Sequence, residues 1–102
     1  MRKLIYLFAV MWVTMNTSAY TATGNTMANG EYPYVGACAV DMINGTWAKF
    51  GTRITLPDGR VLVVTDRFGG NYNNRLDVFL NTEKECWDFG RRNLVCKVEV
   101  AE

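Results

Sequence analysis

Hydrophobic residues in this chain recur in short alternating or continuous runs, broken by Gly, Asn, Asp and Pro. That pattern predicts strands and tight turns, with few helices. The first run stands apart. Leu4 to Met15 is almost wholly apolar, follows Arg2 and Lys3, and ends in Asn16-Thr17-Ser18-Ala19, with small residues at Thr17 and Ala19. This is the layout of a secretory signal peptide over residues 1–19. The run is shorter than the ~20 apolar residues of a membrane-spanning helix, so no stable membrane span is expected in the mature form. No cysteine follows Ala19 to suggest lipoprotein attachment. The competing readings are an uncleaved anchor and a first core element.

Residues 20–102 then form one small domain. Tyr20–Thr23 is a first strand, followed by a polar loop over residues 24–34. Ala37–Asp41 is a second strand. Arg53–Leu56 and Arg60–Thr65 flank Pro57-Asp58-Gly59, a strong turn signal, and so predict a hairpin. Val61–Val64 is continuously apolar, as in a strand covered on both faces. Leu76–Leu80 is another strand. Thr82-Glu83-Lys84-Glu85 has the form of a capping box opening a helix that Gly90 stops, and Trp87 and Phe89 on it are expected in the core. In the last strand Leu94, Cys96, Val98 and Val100 alternate onto one face. Six short strands and one short helix predict a mainly β protein, a small barrel rather than a sandwich, because closure removes exposed strand edges.

Composition narrows the chemistry. With 11 basic and 10 acidic residues there is no basic stripe to bind nucleic acid. Histidine is absent, which excludes Ser-His-Asp and Cys-His machinery and the usual zinc ligand sets. No cofactor or metal is called for. Three cysteines are an odd number for an exported protein. Cys86 and Cys96 are the first choice for a disulfide, leaving Cys38 to stay free, pair alternatively, or bond another chain.

Acid–base work must therefore use carboxylates, tyrosine, lysine or thiol. Asp41 and Asp66 end apolar strands, and Asp77 lies inside Arg75-Leu76-Asp77-Val78-Phe79. Aspartate is poorly suited to strand interiors, so these three call for a reason. Asp58 and Asp88 read as a turn former and a helix surface charge. Gly69-Gly70 permits a tight turn and close approach of a ligand. Trp47 and Tyr72 can be read as stacking platforms for a ring-shaped ligand or as packing. Arg91-Arg92 complement the helix dipole or take part in binding.

The order of Ala19-Tyr20-Thr21-Ala22-Thr23-Gly24, Ala39-Val40-Asp41, Phe50-Gly51-Thr52-Arg53-Ile54, Thr65-Asp66-Arg67-Phe68-Gly69-Gly70, Asn74-Arg75-Leu76-Asp77-Val78-Phe79 and Phe89-Gly90-Arg91-Arg92 resembles the three-aspartate (3D) domain family. That family includes small secreted cell-wall enzymes and the barrel of membrane-bound lytic transglycosylase A. The resemblance implies a six-stranded double-psi β-barrel over residues 20–102. It also implies a periplasmic or wall-located lyase that cuts the bond from N-acetylmuramic acid (MurNAc) to N-acetylglucosamine (GlcNAc) in peptidoglycan without adding water. Asp77 would be the general acid/base, sitting between apolar neighbours, with Asp66 and Asp41 close by to tune it. Thr23, Gly69, Gly70, Tyr72 and Arg75 would contact substrate. The chain departs from the family in a longer stretch after Asp41 (residues 42–50), in Asn71-Tyr72-Asn73-Asn74 after the glycines, and in Arg67. The alternatives are a non-catalytic glycan-binding barrel, as expansin-like barrels are thought to be, and a secreted structural domain.

Overall fold

The strand expected at Tyr20–Thr23 begins much earlier. In a computed structural model, which describes residues 10–101, β1 runs from Val10 to Tyr20 and stops there. The apolar run hides a two-residue period. Val13, Met15 and Thr17 are buried, whereas Trp12 is 69% exposed and Val10 and Thr14 also face out. This alternation is that of a strand with one face on a core. β1 therefore occupies residues 10–19 of the expected leader, and a cut after Ala19 would remove a barrel strand. The remainder of that segment, residues 1–9, lies outside the described residues.

The other elements are β2 (Ala37–Ala39), β3 (Met42–Ile43), β4 (Thr46–Trp47), β5 (Arg53–Thr55), β6 (Val61–Asp66), β7 (Arg75–Phe79), α1 (Glu83–Phe89) and β8 (Arg92–Glu99). Six strands close a barrel in the order β1-β7-β2-β6-β5-β8. β1 pairs with β8 along Val10–Thr17 and with β7 along Asn16–Tyr20, so one long strand joins two neighbours. The β1–β7 and β2–β6 pairs are parallel, and the other four are antiparallel.

The interior is filled by Val13, Met15, Val40, Ile54, Leu62, Val64, Leu76, Val78, Cys96 and Val98, with Phe89 of α1 packed against them. Leu94, Cys96 and Val98 share a face of β8 as the alternation predicts. Val61 does not meet its expectation. It is 52% exposed because only alternate residues of β6, Leu62 and Val64, point inward. The β5–β6 turn forms on Pro57-Asp58-Gly59, where the Asp58 carboxylate accepts the Arg60 N–H at 3.0 Å.

α1 has only 7 residues and depends on its ends. Thr82 Oγ1 accepts the Glu85 N–H, Glu85 Oε1 accepts the Thr82 N–H, and Gly90, at φ 67°, donates to Cys86 O. Phe89 enters the core, but Trp87 does not; it is 81% exposed. The Cys86–Cys96 bridge is not formed either. All three thiols are free: Cys38 and Cys96 are buried, and Cys86 sits half-exposed on the helix. Cys96 belongs to the barrel interior, where burial pushes its thiol up to about 11.

The longer stretch after Asp41 is a small hairpin of β3 and β4. Its two turn residues, Asn44 and Gly45, both have positive φ (49° and 81°), the conformation that Asn-Gly supplies in tight hairpins. A second small cluster, Met27, Ala37 and Phe79 with Tyr20, lies outside the barrel under the loop after β1.

Candidate active site

A row of side chains crosses the outer face of the barrel. In strand register Ser18 lies opposite Asp77, Asp77 opposite Ala39, and Ala39 opposite Asp66. Neighbours in register point to the same face, so Ser18, Asp77, Ala39 and Asp66 form one line over four strands. The two aspartates are two strand spacings apart, about 10 Å between backbones. Between them the floor is only a methyl group, that of Ala39.

Asp66 reaches this line through a bulge. Leu62 and Val64 face the barrel interior, and the next residue in that alternation is Asp66. The β2–β6 register shifts between Cys38 and Ala39, from Cys38↔Val64 to Ala39↔Asp66, so β6 carries one extra residue, Thr65. That residue turns Asp66 out of the apolar interior and into the row, the re-aiming that bulges provide. Three donors converge on its carboxylate. Oδ1 accepts the Ala28 and Arg67 N–H groups, both at 2.8 Å, and Oδ2 accepts the Tyr20 hydroxyl at 3.4 Å.

Asp77 has fewer partners. Its Oδ1 accepts the Ser18 hydroxyl at 2.9 Å. Burial pushes its carboxyl up, and the charge of Asp66 adds to this; Ser18, Arg75 and Arg91 oppose it without cancelling it. The result is an aspartate that holds its proton more tightly than usual. Tyr20 is shifted upward too, by burial and then by the charges of Asp66 and Asp77, so its phenol remains a donor.

Asp41 does something else. It is fully buried, and its carboxylate accepts four backbone N–H groups: Phe68 (2.8 Å) and Gly69 (3.3 Å) on Oδ1, Gly70 (3.2 Å) and Tyr72 (3.0 Å) on Oδ2. Burial pushes this carboxyl up, but the four N–H groups prevail and hold it below the usual range. Asp41 thus anchors the loop over residues 67–74, and Asp66 is the carboxylate whose charge acts on Asp77.

The same loop explains two departures from the family pattern together. Asn73 Oδ1 accepts the Gly45 N–H and Asn74 Oδ1 the Asn44 N–H, both at 2.8 Å, and Asn74 Nδ2 donates to Asn44 Oδ1. The asparagines dock the hairpin. The Tyr72 ring packs over the bare Gly70: a Cβ there would lie 2.5 Å from the ring, which would have to move aside. Tyr72 and Phe68 meet edge to face, with the Arg75 guanidinium 4.8 Å and 4.9 Å from their ring centroids. Gly69, Gly70, Tyr72 and Arg75 therefore sit together, while Thr23 is an exposed loop residue whose hydroxyl accepts the Asn25 N–H. Arg67 donates to Val40 O and lies over Phe50 and Trp47.

Beside Asp77 opens a cleft of about 450 Å³ between the end of β1 and α1, lined by Ser18, Tyr20, Cys86, Trp87 and Arg91 among others. Ser18 both lines it and bonds Asp77, so the cleft reaches the hydrogen-bond partner of that carboxylate. Ser18, Tyr20 and Ala39 escape sequence reasoning because the first two fall at the edge of the expected leader. The alternation of Val13, Met15 and Thr17 was the available signal. Among the described residues no group of His, Cys, Asp or Glu is placed to hold a metal ion. No helix there is long and apolar enough to cross a membrane. In comparison with known proteins, the chain matches no family model and no curated protein.

Proposed function

We propose that the protein is a peptidoglycan lytic transglycosylase with Asp77 as its general acid/base. One observation carries this reading: an upward-shifted carboxyl is hydrogen-bonded to Ser18 on the wall of an open cleft, in one row with a second carboxylate held by donors. A glycosidic oxygen leaves only when protonated, so the acid must keep its proton near neutral pH. Asp77 donates that proton as the bond from C1 of MurNAc breaks. The resulting carboxylate then takes the proton of the same sugar's C6 hydroxyl while O6 bonds to C1. No water is consumed, and a 1,6-anhydro end forms. The negative charge of Asp66 faces the oxocarbenium-like transition state across the Ala39 floor.

Asp41 enters as the anchor of the loop that carries Tyr72 and leads into Arg75 of β7, and not as a proton carrier. The two parallel strand pairs support the finer description of the barrel as double-psi, as in the three-aspartate family. Export to the periplasm or wall belongs to the same proposal, since the substrate lies there. Because β1 includes residues 10–19, a mature form that keeps the barrel keeps them.

A second reading has support of its own. Trp47, Tyr72 and Trp87 are exposed, as in a surface that only binds glycan. Mass spectrometry of peptidoglycan treated with the protein separates the two. Anhydro-ended fragments support the lyase, saturable binding without products supports the binder, and fragments with reducing ends contradict the lyase.

A further inference from the structure

The cleft between β1 and α1 has a chemical polarity of its own. Trp87 presents one of the most exposed large apolar side chains of the fold, and it stands on the wall of this cavity. Arg91 follows it past the helix stop and lines the same cleft, making no ion pair among the described residues. Its charge nonetheless reaches Asp77. Glu83 lines the cleft as well, from the first turn of α1. The cleft thus offers a stacking face, an unpaired guanidinium on the Asp77 side, and a carboxylate that repels anions elsewhere on its wall. An aromatic face suits a pyranose ring, and a lone guanidinium suits a carboxylate.

We propose that this cleft is the subsite for a muramyl residue, stacked on Trp87 and with the carboxylate of its O3 side arm paired to Arg91. The assignment rests on the transglycosylase reading. It deepens that reading by placing the sugar that supplies both C1 and the C6 hydroxyl next to Asp77. A sugar without the acidic arm would leave Arg91 unpaired, so the cleft would discriminate between wall glycan and chitin-like chains.

The test is isothermal titration of the full-length protein carrying Asp77→Asn, which blocks turnover in the proposed mechanism. The probes are a peptide-free tetrasaccharide alternating GlcNAc and MurNAc and a tetrasaccharide of GlcNAc alone. The muramyl ligand should bind roughly fivefold more tightly, the size of a partly exposed charge pair. Arg91→Ala should abolish that preference, Arg91→Lys should keep part of it, and Trp87→Ala should weaken both ligands alike. Both changed side chains are exposed, so the variants are expected to fold. Equal binding of the two ligands, or a preference that survives Arg91→Ala, would overturn the subsite. Release of anhydro products by the wild type without any such preference overturns the subsite alone. A preference at Arg91 with no product from the wild type overturns the enzyme reading and leaves the subsite in place.

Discussion

Replacing Asp41 with asparagine preserves shape and removes acceptors. The carboxylate oxygens each accept two backbone N–H groups, Phe68 and Gly69 on one, Gly70 and Tyr72 on the other. The amide keeps one oxygen and puts an NH2 group in place of the other, so two of the four N–H groups face a donor whichever way it turns. A hydrogen bond to a charged group is worth about 1.5–3 kcal/mol. Losing two therefore costs about 3–6 kcal/mol, and the lower end applies where the loop can shift toward water. In a domain this small 1 kcal/mol moves Tm by about 4–8 °C, so the midpoint should fall by roughly 12 °C or more.

Urea unfolding followed by tryptophan fluorescence measures the loss at neutral pH, and repeating it in acid tests its origin. The folded carboxyl lies below its unfolded value of ~3.9. Its contribution is accordingly complete above that value and drains away as pH falls through the folded pKa. The wild type should lose this increment in acid, and Asp41→Asn should already lack it. A variant within about 0.5 kcal/mol of the wild type, the range of ordinary surface changes, would refute the anchoring role. It would return Asp41 to the chemistry if activity were nonetheless lost.

Two further outcomes follow from the same geometry. Ser18→Ala removes a hydrogen bond that lowers the Asp77 pKa, so the acid form persists to higher pH. The alkaline limb of the pH–rate profile should move upward, and an unmoved limb would separate Asp77 from the proton transfer. A protein begun at Tyr20 lacks Val13, Met15 and Thr17 from the core, each apolar side chain worth about 1.5–3 kcal/mol of burial, and it opens both flanks of β1. It should be unfolded by circular dichroism where the full chain is folded; a cooperative melt from the shorter protein would contradict the placement of β1.

Local rules carried much of this fold. Pro57-Asp58-Gly59 made its turn, Thr82 and Glu85 capped their helix, and the period of Leu94, Cys96 and Val98 gave the inner face of β8. What failed was arbitration between patterns that share residues. A run such as Leu4–Met15 satisfies a leader by hydrophobicity, while its second half satisfies a strand by alternation, and only the partners β7 and β8 decide. Asn44-Gly45 is a legible hairpin signal inside the longer stretch after Asp41, and its two positive φ angles bear it out. Trp87 shows the limit on short helices, where a shift of one residue, about 100° around the axis, decides between core and solvent. The site was half legible. Asp66 and Asp77 do share a row, but the extra residue Thr65 that brings Asp66 there has no marker in the sequence. Asp41 drew suspicion for being an aspartate at a strand end, and its reason is four N–H groups in a loop that no local pattern joins to it.

The central claim is that Asp77 moves the proton in a cleavage that needs no water. Its most direct test is mass spectrometry of peptidoglycan digested by the wild type and by Asp77→Asn, with circular dichroism showing that both are folded. The account predicts 1,6-anhydromuramyl ends from the wild type and none from the variant. Reducing ends from the wild type, or anhydro ends from a folded Asp77→Asn protein, would contradict it.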